Sequence, residues 1–490
     1  MCNVASYTNF NCCVGVAAIL GAITIGCASP GGHVSPPSST TAPPTPAATT
    51  GTDVQTSIRP VPDVRRVSYD SEQSPAGPDR DRIEPSPAAA DGDDPFAQAT
   101  ELPLDQLVAE VERRNPSLQA VSEAWRAAAQ RYPQMVSLED PMFDWMIAPR
   151  GVGPEGGWMI EASQKLPWAG KRRLRGSIAT AEADAARGDI GDTRLMLAEA
   201  AKMAYFDYYL ARRQLQVNAD TMQLVRQLRE IAKSKYEASQ ATEQDVLQAD
   251  VELADLEGRR AEFVRDERVV TARINTLLHR SADHRLPPPP EQVRVPDSLP
   301  PRETLQEVAV QSRPDLYSVA ARIRADEAAV ALACREYYPD VEIVGKYDTL
   351  MPPDMQAQVG MRLNVPLQQA RRQAAVQEAQ ARLSQQRAEY ANRRDQVAFE
   401  VQAAMVRVSE AQKVARLYTA RILPAAEQNL KSARANYVAG KVDFLRLVDA
   451  ERQINTERER SFQAIAKYHR RAAELERAVG GPLPEPAASP

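Results

Sequence analysis

The stretch NYVAGKVDFLRLVDAERQ, residues 436–453, breaks a long helical pattern at one glycine and resumes it at once. Gly440 suits the left-handed conformation that ends a helix, and Asp443 suits the cap that begins the next one. The stretch KYEASQATEQDVLQADVE, residues 235–252, repeats this pattern without a gap, with Ser239 at the position of Gly440. Two such stretches predict two helical hairpins within an internal repeat.

Prolines extend the repeat beyond these two tips. Helices tend to end near proline, which lacks a backbone N–H and restricts the residue before it. Three pairs stand at nearly equal separations: Pro116 with Pro314, Pro141 with Pro339, and Pro167 with Pro366. They predict a mainly α protein with two helix–hairpin–helix–helix repeats, residues 101–290 and 302–480, a linker at 291–301 and a flexible tail at 481–490.

Between the second and third prolines of each repeat, the apolar period changes from helical to two. The alternating apolar residues are Phe143, Trp145, Ile147, Trp158, Ile160, Val341, Ile343, Tyr347, Val359, Met361, Leu363 and Val365. The charged residues of the opposite face are Glu161, Lys165, Glu342, Lys346 and Arg362. This pattern predicts β-hairpins at 142–166 and 340–366 with strands of roughly ten residues, typical of a transmembrane barrel whose lumen is lined by the charged face. A soluble hairpin packed on the helices is the alternative.

Each hairpin is followed by a long helical pattern. Residues 169–285 contain no proline, and a helix running to the first tip would be roughly 100 Å long. Apolar residues recur every seven positions: Met196, Met203, Leu210, Val217, Leu224 and Ile231, then Ala249, Leu256, Phe263, Val270 and Leu277. This spacing predicts coiled-coil packing, and a flanking row with Leu215 and Met222 would allow a neighbour on each side. An ordinary antiparallel hairpin is the alternative.

Composition excludes several functions. The net charge is −5 and basic residues are scattered among acidic ones, which gives no sign of a nucleic-acid partner. The sequence has no Gly-rich phosphate loop, no Ser/His/Asp arrangement and, with four histidines, no metal-ligand spacing. We therefore expect no enzyme activity, no cofactor and no metal site.

The N-terminus differs from the rest of the chain. Residues 12–26 form an uncharged apolar run before Cys27, a length that suits a signal peptide better than a membrane span. The run resembles a lipoprotein signal, so residues 1–27 are predicted to be a signal peptide with lipidation at Cys27; the alternative is a small residue beside an ordinary cleavage site. Residues 28–100 are rich in Pro, Ser and Thr, which predicts a disordered tether.

The two repeats, the motif Y-x-x-G-x-x-D-x-L-x-L-x-D-A from Tyr437, RPDL from Arg313 and SQKLPWAGKRRLR from Ser163 together resemble the TolC-like outer-membrane efflux proteins. The resemblance spans about residues 103–480, and SQKLPWAGKRRLR with LEDPMFDW is similar to the heavy-metal branch. It implies a homotrimer in which each chain gives four strands to a twelve-stranded barrel and long helices to a periplasmic α-barrel. The implied function is a passive outer-membrane duct, with a periplasmic extension, that meets a periplasmic adaptor and an inner-membrane pump of the resistance-nodulation-division type.

The resemblance also implies a gate of acidic and basic side chains at the periplasmic tip. Asp449 matches one acidic gate position and Asp245 matches another on the first hairpin. The second acidic position of the later helix is Arg446 here, and Val442 replaces the basic partner. Together with Gly440 and Asp443 these residues define the predicted tip. A different class, a coiled-coil lipoprotein scaffold or adaptor without a pore, is the competing hypothesis.

Overall fold

A computed structural model describes residues 96–148, 156–239 and 242–484. The predicted signal peptide, Cys27, most of the tether and the last six residues lie outside these ranges. The folded part begins before the predicted boundary at residue 100, because Phe96 is only 2% exposed. Its ring packs in the core, where the Arg280 guanidinium lies 5.7 Å from the ring centroid.

The elements follow the order predicted from the repeat. The helices are α1 (Leu104–Arg114), α2 (Pro116–Ala129), α3 (Arg131–Val136), α4 (Lys171–Glu237), α5 (Glu243–Leu277), α6 (Arg302–Ser312), α7 (Pro314–Arg335), α8 (Gln369–Leu417), α9 (Leu423–Val438) and α10 (Phe444–Val479). The strands are β1 (Met142–Ala148), β2 (Gly157–Leu166), β3 (Val341–Asp348) and β4 (Ala357–Leu363). Within the described ranges, no helix combines the length and hydropathy that a bilayer crossing requires.

The four strands form one antiparallel sheet in the order β1-β2-β3-β4. The central pair, β2 with β3, joins the hairpins of the two repeats. Only β2 reaches the predicted ten residues; β1 and β4 have 7 each and β3 has 8. Val365 therefore lies beyond the end of β4.

The long helix of the second repeat contains a π-helical turn. In the first repeat, α4 runs unbroken for 67 residues, about 100 Å at 1.5 Å per residue. Its counterpart consists of α8, the turn Tyr418–Ile422 and α9. Equivalent residues of the two repeats are separated by more residues in the sequence at the tips, as Tyr236 and Tyr437 are, than at the starts of the long helices. A π turn accommodates an inserted residue within a continuous helix.

The most buried heptad row of α4 is not the predicted one. Met196 and Ile231, at its two ends, are 44% and 38% exposed. The buried row lies one position further on and consists of Leu197, Ala204, Ala211, Asn218, Val225 and Ala232. Small side chains allow close approach, and α4 contacts α5, α7 and α10. The predicted row of α5 is buried at Ala249, Leu256 and Phe263.

The two repeats fix the ends of their return helices in the same way. In the first, the Asn115 side chain donates to the Leu277 carbonyl (3.0 Å). In the second, Arg313 donates to the Ala478 carbonyl (3.1 Å), the equivalent atom. Both anchoring residues directly precede the proline that opens the next helix. The repeat is therefore preserved in its tertiary contacts as well as in its order of elements.

Candidate functional site

One face of the sheet carries a charged ladder. Register places Glu161 opposite Lys346, and Glu342 opposite both Lys165 and Arg362. Directly opposed residues of an antiparallel pair share a face, so all five predicted lumen residues lie on the same side. Arg362 links three strands, at 2.9 Å from Glu342 and 3.1 Å from Glu161.

The opposite face is apolar and exposed. Trp145 on β1 is 70% exposed, and Val359 and Met361 on β4 are 88% and 67% exposed. Trp158 and Tyr347 stack across the β2–β3 pair, with ring centroids 5.3 Å apart. In a soluble hairpin packed on the helices, a helix would cover these side chains. Their exposure shows that no described helix does so. A face of large apolar side chains on this scale marks a lipid or protein interface.

The motif SQKLPWAGKRRLR connects β2 to α4 through a buried cation. The Lys171 side chain is 1% exposed, and its ammonium lies 2.9 Å from Asp340 and 3.2 Å from Glu336. Asp340 also accepts a hydrogen bond from the Trp168 N–H (2.8 Å). Burial raises the pKa of Asp340, but this hydrogen bond and the Lys171 ammonium outweigh it and lower the pKa below its ordinary value. The motif is therefore a rigid joint between strand and helix.

Both tips end in a left-handed residue. Gly440 has φ +70° and Ser239, its counterpart, has φ +59°. Thr242 is the N-cap of α5, the first return helix, and its N–H donates to Asp245 (3.4 Å). Asp443 occupies the N-cap position of α10 but its side chain makes no capping hydrogen bond. The turn predicted at Gly440 is thus present. Asp443 stands at the predicted N-cap position but does not cap the helix with its side chain.

The predicted gate residues on α10 are exposed and unpaired with each other. Arg446 and Asp449 both face solvent within the single chain. Among the ion pairs of the described residues, none joins Arg446 to Asp449. The hydrogen bond that Arg452 donates to Glu252 is the main cause of the raised pKa of Arg452, and the charge of Asp449 contributes to it. Any latch between Arg446 and Asp449 would therefore have to form between chains or after rotation of the side chains.

Contacts between the two hairpins were not found from the sequence. Lys235 donates to the Tyr437 carbonyl (3.2 Å), and its ammonium lies 4.0 Å from the centroid of that ring. Arg452 of α10 donates to Glu252 of α5 (2.7 Å). Leu228, Ala232, Ala249, Tyr437, Leu447 and Val448 form a shared apolar core below the tips. The internal repeat aligns Tyr236 with Tyr437 in sequence but gives no sign that the two tips lie side by side.

Comparison with known sequences gave one match. Residues 305–481 match the family model described as outer membrane efflux protein. A search of curated proteins found no match.

The fold is similar to those of several solved outer-membrane proteins. The outer-membrane channel OprN shares 20% identity over 77% of this chain and 90% of its own, with a TM-score of 0.65. CusC, whose structures were described for its folding and transmembrane channel formation, shares 17% identity over 77% of this chain and 92% of its own, with a TM-score of 0.66. The outer membrane protein VceC from Vibrio cholerae shares 18% identity over 77% and 96%, with a TM-score of 0.65.

Proposed function

We propose that the chain is the exit duct of a tripartite efflux system, because residues 305–481 match the outer membrane efflux protein family model and the described chain has a fold similar to those of OprN and CusC. The matched family model is described as outer membrane efflux protein and OprN as an outer-membrane channel, which supports a transport function and not an enzymatic one. In this proposal three chains form the duct, which receives substrate from an inner-membrane pump of the resistance-nodulation-division type through a periplasmic adaptor.

The observation that carries the proposal is the two-faced sheet with two free edges. β1 and β4, the edge strands, have 7 residues each. Open sheet edges are not tolerated in lipid, because their backbone groups would stay unsatisfied. Three copies joined β4 to β1 would give twelve strands without an edge. The apolar face would meet lipid, and the face with Arg362 would meet water.

The charged face is nearly balanced in charge. Its acidic residues are Glu161, Glu342, Asp348 and Asp144, which lies opposite Glu161, and its basic residues are Lys165, Lys346 and Arg362. One excess negative charge per chain gives this face no strong preference for cations. A preference for cations would have to arise at the tip, where Asp245, Asp443 and Asp449 would each occur three times around one axis. Like charges close together in a constriction raise the local cation concentration. Heavy-metal cations are proposed as cargo because SQKLPWAGKRRLR resembles the heavy-metal branch. Similarity in fold does not bear on the cargo, since OprN, CusC and VceC have nearly equal TM-scores.

Purification from outer membranes tests the assembly. We expect a heat-stable trimer that forms ion-conducting pores in planar bilayers, whereas a coiled-coil scaffold would form none. Met361→Arg should destabilise the inserted protein by about 2–4 kcal/mol, because Met361 lies on the apolar face near the middle of β4. Gln358→Arg, on the opposite face of the same strand, is the matched control and should cost little. A protein that tolerates both equally would contradict the proposal.

A further inference from the structure

One buried carboxyl near the second tip has no partner. Glu451 on α10 is 3% exposed, and neither carboxylate oxygen has a hydrogen-bond partner among the described residues. A buried carboxylate without a partner is costly, so such a group tends to stay protonated. Burial raises the pKa of Glu451 to about 7, and the charges of Arg434 and Arg458 reduce this rise.

The internal repeat shows what is missing at this position. Asp250, the counterpart of Glu451, pairs with Arg229 at 2.5 Å. The counterpart of Arg229 in the second repeat is Leu430, which packs against the apolar core of the tips. The first hairpin thus supplies a guanidinium where the second supplies a hydrocarbon. The acidic residue is present in both repeats, and only its partner is lost.

Among the described residues, the arginines near Glu451 donate no hydrogen bond to its carboxylate. Arg434, on α9, and Arg458, on its own helix, act on it only through space. Arg458 lies 3.8 Å from Glu427. Arg229 of the first repeat pairs with Asp250. Arg452, next to Glu451 on α10, donates to Glu252 of the first repeat. An ionised Glu451 side chain would therefore have to move out of the buried helix interface into solvent, or an arginine would have to move into the interface to pair with it.

We infer that Glu451 is a proton-dependent latch that keeps the second hairpin packed when protonated and loosens it when ionised. The effect has a defined sign. At a pH between the ordinary range of glutamate and about 7, the packed hairpin holds a proton that the opened hairpin releases. Packing therefore weakens as pH rises through this window and levels off above it. This makes the two tips unequal: the second responds to periplasmic pH near neutrality, and the first does not.

Hydrogen exchange of the purified full-length protein in detergent tests this inference. Opening of residues 430–455, corrected for intrinsic exchange rates, should increase roughly tenfold or more between pH 5 and 8, since one proton gives at most about tenfold per pH unit. Residues 228–254 of the first hairpin serve as the internal control and should change little. Neither measurement depends on whether the protein conducts.

Three variants make the test decisive. Glu451→Gln should abolish the pH response, and Leu430→Arg, which restores the partner present in the first repeat, should also remove it from this window. Asp250→Asn is the matched control and should leave the response of the second hairpin intact. If Leu430→Arg fails to fold, Glu451→Gln still decides. The inference is overturned if Glu451→Gln keeps the response or if both hairpins respond alike.

Discussion

Replacing Asp340 by asparagine tests the buried joint between sheet and helix, because Lys171 has two carboxylate partners that differ in burial. The Asp340 side chain is 14% exposed and lies 2.9 Å from the ammonium, whereas Glu336 is 46% exposed and lies 3.2 Å away. At an effective dielectric constant of 20, either charge pair would interact by about 5–6 kcal/mol before desolvation. Water screens the Glu336 pair far more strongly.

The expected costs therefore differ. Removing one partner of a buried pair costs about 3–5 kcal/mol. Asparagine keeps an acceptor for the Trp168 N–H, and the Tyr338 carbonyl still accepts from Lys171 (3.1 Å). We therefore expect Asp340→Asn to cost about 2–3 kcal/mol. Glu336→Gln, the matched control, should cost at most about 1 kcal/mol, as exposed pairs do.

Urea unfolding of the detergent-solubilised protein, followed by circular dichroism, measures both variants. The Asp340 pair stabilises the fold above the ordinary pKa of aspartate, because its folded-state pKa is lowered. The difference between parent and Asp340→Asn should thus be full at pH 7 and shrink as pH falls towards 3. Equal losses for the two variants, or no loss for Asp340→Asn, would refute the account of Lys171 as a buried, charged anchor.

Three further predictions concern single residues. Ser239→Gly should stabilise the first hairpin by about 0.5–1 kcal/mol, since glycine adopts the observed φ of +59° without strain; an unchanged unfolding midpoint would argue against strain there. Burial lowers the pKa of His469 to about 4, so stability should fall as pH drops from about 6.5 towards 4, and His469→Gln should flatten that part of the curve in thermal melts. Asp449→Ala and Arg446→Ala should each increase single-channel conductance, and the latter should also increase cation selectivity; variants that conduct like the parent would make Asp449 a solvated helix residue.

The features that the sequence predicted are those with strong local signals. A change of period from helical to two revealed both faces of the sheet, because side chains alternate along a strand. The glycine at 440 marked its tip because a left-handed residue has few alternatives. Pro116 and Pro314 each open a helix, at equivalent places in the two repeats. Each of these signals depends on a few neighbouring residues.

What the sequence did not predict depends on partners distant in the chain. The buried row of α4 includes Ala204, Ala211 and Asn218, small or polar residues whose burial depends on the helices packed against them. The β2–β3 pair joins strands far apart in sequence. Arg446 and Asp449 lie about one turn apart on α10, but both side chains are exposed in the single chain. Spacing gives proximity along a helix and does not fix which rotamer is occupied.

Cysteine scanning along β4 tests the central claim, a lipid-facing sheet around a water-filled duct, most directly. The scan runs from Ala357 to Leu363 in a Cys334→Ser background, because Cys334 is the free cysteine of the described chain. A membrane-impermeant thiol reagent should label Gln358→Cys, Gly360→Cys and Arg362→Cys in whole cells. Cysteines at Val359, Met361 and Leu363, on the apolar face, should stay unlabelled. Labelling at every position, or without a period of two, would contradict the account.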